Sequence, residues 1–241
     1  MRTVAMAALA IMLTSCGFTR GGNGQIVFTS ERTGNWQVFV MDADGTEARQ
    51  LTYDNNYHWG PVWSPDGSQI AFTGDWSGNR EILVMDSDGR GVIHLVTDNA
   101  RVDEDPSWSP DGDRIAFAGD LDGDFEIFVM DADGNKPLQV THNSSIDWSP
   151  DWSPDGQYLT FASRQGGSWN IYTVGVDGAG LVKVADSGAN EVDPVWSPDG
   201  KRIAFSSDRN GGYAVFTVTV DTGDVVATGQ AGYPSDWTTG G

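Results

Sequence analysis

Short runs of alternating apolar and polar residues fill the chain. Ile70-Ala71-Phe72, Ile115-Ala116-Phe117, Leu159-Thr160-Phe161 and Ile203-Ala204-Phe205 each follow a polar turn. Each leads through a Gly-rich hairpin toward a second run, such as Glu81-Ile82-Leu83-Val84-Met85-Asp86 or Glu126-Ile127-Phe128-Val129-Met130-Asp131. Runs of this length and period predict strands, and no long window carries a helical period. Asp42-Ala43-Asp44-Gly45, Asp86-Ser87-Asp88-Gly89 and Asp131-Ala132-Asp133-Gly134 then predict turns into a short last strand, for example Gln50-Leu51-Thr52 or Leu95-Val96-Thr97. The acids of these turns suit calcium in principle. Three copies at one place in a repeat argue instead for turn chemistry, with Asp bonding its own backbone and Gly supplying a positive φ.

The turn ahead of each first run is the same. Trp-Ser-Pro-Asp-Gly stands at 63–67, 108–112, 152–156 and 196–200, with tryptophan spacings of 45, 44 and 44 residues, and a proline lies two positions before each Trp. Pro presets φ for a tight turn and Gly tolerates its exit. A period near 44 residues with four short strands per unit predicts an all-β, five-bladed β-propeller of four-stranded antiparallel blades. Asn23-Gly24-Gln25-Ile26-Val27-Phe28 matches a second strand with no first strand before it. Pro234-Ser235-Asp236-Trp237 matches a first strand with nothing after it. The expectation is that the C-terminal strand pairs with the N-terminal strands and closes the ring, leaving no sheet edge at the join. Residues 25–241 then form one propeller domain.

These blades resemble the TolB-type propeller repeat, a relative of the WD-type repeat, over nearly everything from Gln25 to Gly241. The resemblance implies a propeller and a protein-binding or assembly role at the bacterial cell envelope. No nucleophile elbow occurs, the histidines His58, His94 and His142 are scattered, and Cys16 is the single cysteine, so the signatures of nucleophilic and zinc chemistry are poor. The alternative is a propeller enzyme acting on glycans as a carboxylate-based hydrolase or lyase, with Asp103, Asp147 and Glu191 of successive repeats facing one another.

Residues 1–16 differ in kind. Arg2 precedes the apolar run Val4 to Leu13, which is too short to span a bilayer and reads as a secretory leader. Leu13-Thr14-Ser15-Cys16 resembles the lipobox of bacterial lipoproteins, which implies acylation of Cys16, with residues 17–24 as a flexible tether. An ordinary leader with an incidental Cys is the other reading. Gly17 after the Cys directs the expectation to the periplasmic face of the outer membrane or the cell surface. The balance of 14 Lys and Arg against 34 Asp and Glu gives a net charge of −20, which repels phosphate backbones and excludes nucleic acid as a partner.

Ligands of propellers meet the loops at one mouth of the channel, and here the loops entering the first strand of each blade vary most. They bring His58, Trp59, Asp103, Glu104, Asp105, Asp147, Trp148, Glu191, Asp193 and Tyr233 as candidate ligand-binding residues. Aromatic faces beside carboxylates suit a sugar ring or a cationic peptide, so the partner classes are an envelope protein, a glycan or a peptide. The competing reading is that the aromatics cover blade junctions while the acids stay hydrated. No cofactor is implied, apart from calcium at Asp120, Asp122 and Asp124, whose alternation can converge oxygens on the ion; a solvated hairpin is the competing reading.

Overall fold

The structure is a computed structural model that describes residues 24–76, 78–90, 97–120 and 123–234, with the backbone of 19–20 and 94–95. Every regular element among the described residues is a strand. Blade 1 contains β1 (Thr19–Arg20), β2 (Gln25–Ser30), β3 (Gln37–Asp42) and β4 (Arg49–Gln50). Blade 2 contains β5 (His58–Trp63), β6 (Gln69–Trp76), β7 (Asn79–Asp86) and β8 (His94–Leu95). Blade 3 contains β9 (Asp103–Trp108), β10 (Arg114–Asp120), β11 (Phe125–Asp131) and β12 (Leu138–Gln139). Blade 4 contains β13 (Asp147–Trp152), β14 (Tyr158–Ser163), β15 (Asn170–Gly175) and β16 (Val182–Ala185), and blade 5 contains β17 (Glu191–Trp196), β18 (Arg202–Ser207), β19 (Ala214–Thr219) and β20 (Val225–Ala231). Each blade is a four-stranded antiparallel sheet with its strands in chain order, and the five form a five-bladed propeller. The first strands β5, β9, β13 and β17 touch one another in succession around the axis.

The Ile-Ala-Phe pattern explains how the blades stack. Period two sends Ile and Phe to one face of a blade and Ala to the other, so a bulky face meets a small one at each seam. Ala71, Ile82 and Val84 of blade 2 pack on Trp108, Ile115, Phe117, Phe128 and Met130 of blade 3. Ala116, Ala118, Ile127 and Val129 of blade 3 pack likewise on Trp152, Leu159, Phe161, Tyr172 and Val174 of blade 4. Blade 4 has Thr160 where blades 2, 3 and 5 have Ala and blade 1 has Val27, and its Oγ1 donates to the Tyr172 carbonyl at 3.0 Å, which removes the cost of burying a hydroxyl. On blade 1, the face turned away from blade 2 buries Phe28, Phe39 and Met41 in a cluster of its own, with the Arg32 guanidinium 4.7 Å from the Phe39 ring centroid.

The repeated turn is held by its serine. Ser153 Oγ accepts the Tyr158 N–H at 2.9 Å and donates to Asp155 Oδ1 at 2.6 Å, and Ser64, Ser109 and Ser197 do the same in their blades. Gly156 leaves the turn with φ 68°, a conformation that an L residue adopts at a cost. A Ser153→Ala protein is expected to lose about 1 kcal/mol in urea denaturation, and the four Ser→Ala changes together about the sum, because the turns are far apart. A loss confined to a few tenths for all four would assign the turn to Pro and Gly alone.

One detail of ring closure differs from the sequence expectation. The strand beside β2 is β1, with Thr19 opposite Val27 and Arg20 opposite Ile26. A hairpin from the residues directly ahead of β2, entering through Gly24 at φ 77°, closes a far shorter loop than a strand from the other terminus would, and short loops lose less entropy on closing. Two residues of the expected tether therefore belong to a sheet. Residues 235–241, with Trp237, lie outside the described residues, as do the leader and Cys16.

Candidate functional site

Each first strand carries an irregularity. The pairing of β5 with β6 shifts between Trp59 and Val62, that of β13 with β14 between Trp148 and Asp151, and that of β17 with β18 between Val192 and Val195; β9 has the same interruption against β10. The residue before each proline sits inside it. Gly60, Asp105, Ser149 and Asp193 have φ of 59°, 54°, 53° and 51°. Left-handed backbone at three non-glycine residues at one structural position is a strain that only the surrounding fold maintains. The bulge turns these side chains away from the seams and toward the axis.

There they meet. Ser149 Oγ lies 3.1 Å from Asp105 Oδ2 and 3.3 Å from Asp193 Oδ1, each partner 44 residues away in sequence. A hydroxyl has one proton, so Ser149 donates to one carboxylate at a time. Burial pushes the Asp105 carboxyl above its ordinary range, against hydrogen bonds from Ser149 and Trp148. Burial, with the Asp105 charge added, raises Asp193 to about 6. All three residues are half-buried. Beside Asp193, the rings of Tyr213 and Tyr233 stand 5.0 Å apart at 34°, and the Asp193 and Asp208 charges hold both phenols above their usual range after burial has done so. Gly60 completes the series without a side chain, and a Cβ there would come no closer than 3.9 Å to Asp105 Oδ1.

Of the residues singled out from the sequence, Asp105, Trp148, Asp193 and Tyr233 come together here. Trp148 also packs on Phe125, ring centroids 4.4 Å apart. Trp59 lies half-buried with the Arg80 guanidinium 6.0 Å from its ring centroid, and Arg80 pairs with Glu104. The other four lie in the seams. His58 is fully buried, with Nε2 2.9 Å from Asp54 Oδ1, and burial lowers its pKa despite that partner. Asp103 accepts from Asn99 Nδ2 at 2.7 Å and Asp147 from Asn143 Nδ2 at 2.7 Å, while Glu191 pairs with Arg209. Asp103, Asp147 and Glu191 are thus each fixed in a different seam.

Asp103 and Asp147 belong to a repeated latch that sequence reading did not isolate. Thr97 Oγ1 accepts the Ile82 N–H at 2.9 Å and donates to Glu81 Oε2 at 2.6 Å, and Asn99 reaches on to Asp103. One blade further, Thr141 donates to Glu126, the Asn143 N–H donates to Glu126 Oε1 at 2.6 Å, and Asn143 Nδ2 reaches both Glu126 Oε2 at 3.3 Å and Asp147 Oδ2. Each latch ties the third strand of one blade to the first strand of the next. Ser149 and Tyr213 were missed as well; the x-Pro pair at constant spacing was the available signal for Ser149.

Asp120 Oδ1 accepts the Gly123 N–H at 2.8 Å, which is turn chemistry, and Asp122 lies outside the described residues. Among the described residues no group of three or more His, Cys, Asp or Glu side chains is placed to hold a metal ion.

The profile of the TolB beta propeller domain matches residues 10–110 and 146–238, most of the chain. The chain belongs to the TolB beta-propeller family. TolB from Acinetobacter baumannii superposes with a TM-score of 0.75 at 26% identity, over 85% of this chain and 52% of that one. This TolB-type propeller thus spans about half the length of that relative. A protein assigned as TolB from Agrobacterium tumefaciens superposes at 0.77 with 24% identity, covering 91% of this chain and 83% of the other. An oligogalacturonate lyase from Vibrio parahaemolyticus shares the fold at a TM-score of 0.65 and 13% identity, over 89% of this chain and 66% of its own. No functionally curated protein matches the sequence.

Proposed function

We propose that this TolB-type propeller is an exported, lipid-anchored binding module of the bacterial cell envelope that takes a cationic segment of a partner protein at the axial Asp105–Ser149–Asp193 array. One observation carries the reading: two carboxylates from different blades are turned onto one hydroxyl at the bulges of their first strands. A Lys or Arg side chain entering the channel would supply the donors and the positive charge that Ser149 alone cannot supply to both. Trp148 and the Tyr213 and Tyr233 pair offer aromatic faces beside it. The leader and Cys16 support export and anchoring, and the overall charge of −20 favours basic partners.

The test is calorimetric titration with a lysine-rich peptide. Asp105→Asn with Asp193→Asn is expected to weaken binding about tenfold or more, since an interaction of buried charges is removed. Affinity of the unaltered protein should also rise as pH increases through about 6, where Asp193 ionises. Equal affinity of the double variant across that range would sink the axial site. Release of the protein from membranes by Cys16→Ser is the matching test of the anchor.

A further inference from the structure

We propose that β20 is a second docking site, an open sheet edge to which an extended, basic segment of a partner protein adds as a further strand of blade 5. Outermost strands are where sheets invite unwanted pairing, and proteins blunt them by shortness and by charge. The other blades do so. β4, β8 and β12 have two residues each and β16 has four, and Arg49 and Lys183 stand in β4 and β16. β20 does neither: it has seven residues, Val225-Val226-Ala227-Thr228-Gly229-Gln230-Ala231, without a charge or a proline. Every one of them is exposed, Val226 at 60%.

The strand is nonetheless ordered along its length. Val225, Val226 and Ala227 pair with Val218, Thr217 and Phe216, and Ala231 pairs with Ala214 beyond a bulge. Because β20 ends the order β17-β18-β19-β20, alternate N–H and C=O groups point away from β19. Within the bulge the side chain of Thr228 turns inward, its Oγ1 donating to the Val215 carbonyl of β19 at 2.7 Å and accepting the Gln230 N–H at 3.2 Å. Val225 to Ala227 is the regular stretch on which an incoming strand would register, with Val226 offering an apolar contact to a β-branched residue opposite.

Charge selects the occupant. From Tyr213 to the C-terminus the chain has no Lys or Arg but carries Asp221, Asp224 and Asp236. A segment flanked by Lys or Arg is drawn to this edge, whereas a second copy with a net charge of −20 would bring the same acids against them.

The probe is a synthetic peptide of alternating valine and threonine with a lysine at each end, added to the full chain and followed by fluorescence anisotropy and amide hydrogen exchange. Expected are saturable binding, slowed exchange within Val225–Ala231, and about tenfold weaker binding both for Val226→Lys with Gln230→Lys and for a peptide of equal charge with a central proline. Both altered side chains are exposed, so an unchanged melting curve separates lost docking from lost folding. Equal binding of the proline peptide, protection confined to other segments, or a dimer in sedimentation that the double variant dissociates would each overturn the proposal, the last by naming a second copy as the occupant.

Discussion

An Asn143→Leu protein is expected to lose about 3–5 kcal/mol of stability at neutral pH, the range seen when one partner of a buried charged network is removed. Asn143 Nδ2 is the donor shared by Asp147 Oδ2 and Glu126 Oε2. Glu126 is 3% exposed and Asp147 fully buried, so water cannot replace what the side chain supplied. The two carboxylates would then face each other across the seam of blades 3 and 4 with Thr141 and the Asn143 N–H as the remaining donors to Glu126. Leu keeps the branch at Cγ but supplies no donor, so the electrostatic part of the loss should shrink as pH falls and the carboxylates take up protons. Asn55→Leu, on an exposed loop, is the control and should stay within about 0.5 kcal/mol of the parent. A pH-independent loss equal to that of a plain packing change would refute the latch.

The fold was readable because three local devices whose physics is self-contained recur along the chain: the Ser-Pro-Asp-Gly turn in four blades, the bulky-small-bulky strand, and the Asp-x-Asp-Gly turn in three. The bridging Asp44 Oδ1, which accepts the Thr46 N–H at 2.9 Å, confirms that the last of these is turn chemistry. The site was readable only by half. Strict alternation puts Asp103 and Asp105 on one face of β9, as it does Glu191 and Asp193 on β17. The bulge at the x-Pro pair breaks that alternation, sending Asp105 and Asp193 to the axis and leaving Asp103 and Glu191 in the seams. A bulge depends on the pairing between two strands, and one strand's pattern does not contain it. The latch was hidden for a related reason: its Glu, Thr, Asn and Asp come from three elements of two blades.

The second large effect concerns Glu126. Burial is the main cause that raises its pKa from 4.5 to about 7, with the Asp147 charge adding to the shift. Asp147 is pushed up by burial too, so the pair holds a proton that the unfolded chain would already have released. Folding therefore takes up protons between pH 4.5 and about 7, and stability contributed by the protonated latch is fully present below that window and falls as pH rises through it. The fall amounts to at most about 3 kcal/mol. Glu126→Gln removes the titration while keeping the shape and a donor. The chain itself supplies the precedent, because Gln37 occupies the same place in blade 1, where its Nε2 donates to the Asn56 carbonyl at 2.7 Å. Urea denaturation should find parent and variant nearly equal near pH 4.5, and the variant more stable by up to about 3 kcal/mol near pH 8. Raised groups away from the seam, Asp193 among them, tilt both curves alike, so the difference between the two proteins reports the titration of the Glu126–Asp147 pair. Parallel curves would mean that Glu126 ionises inside the seam without penalty, and the seam between blades 3 and 4 would then have to be wetter than its packing allows.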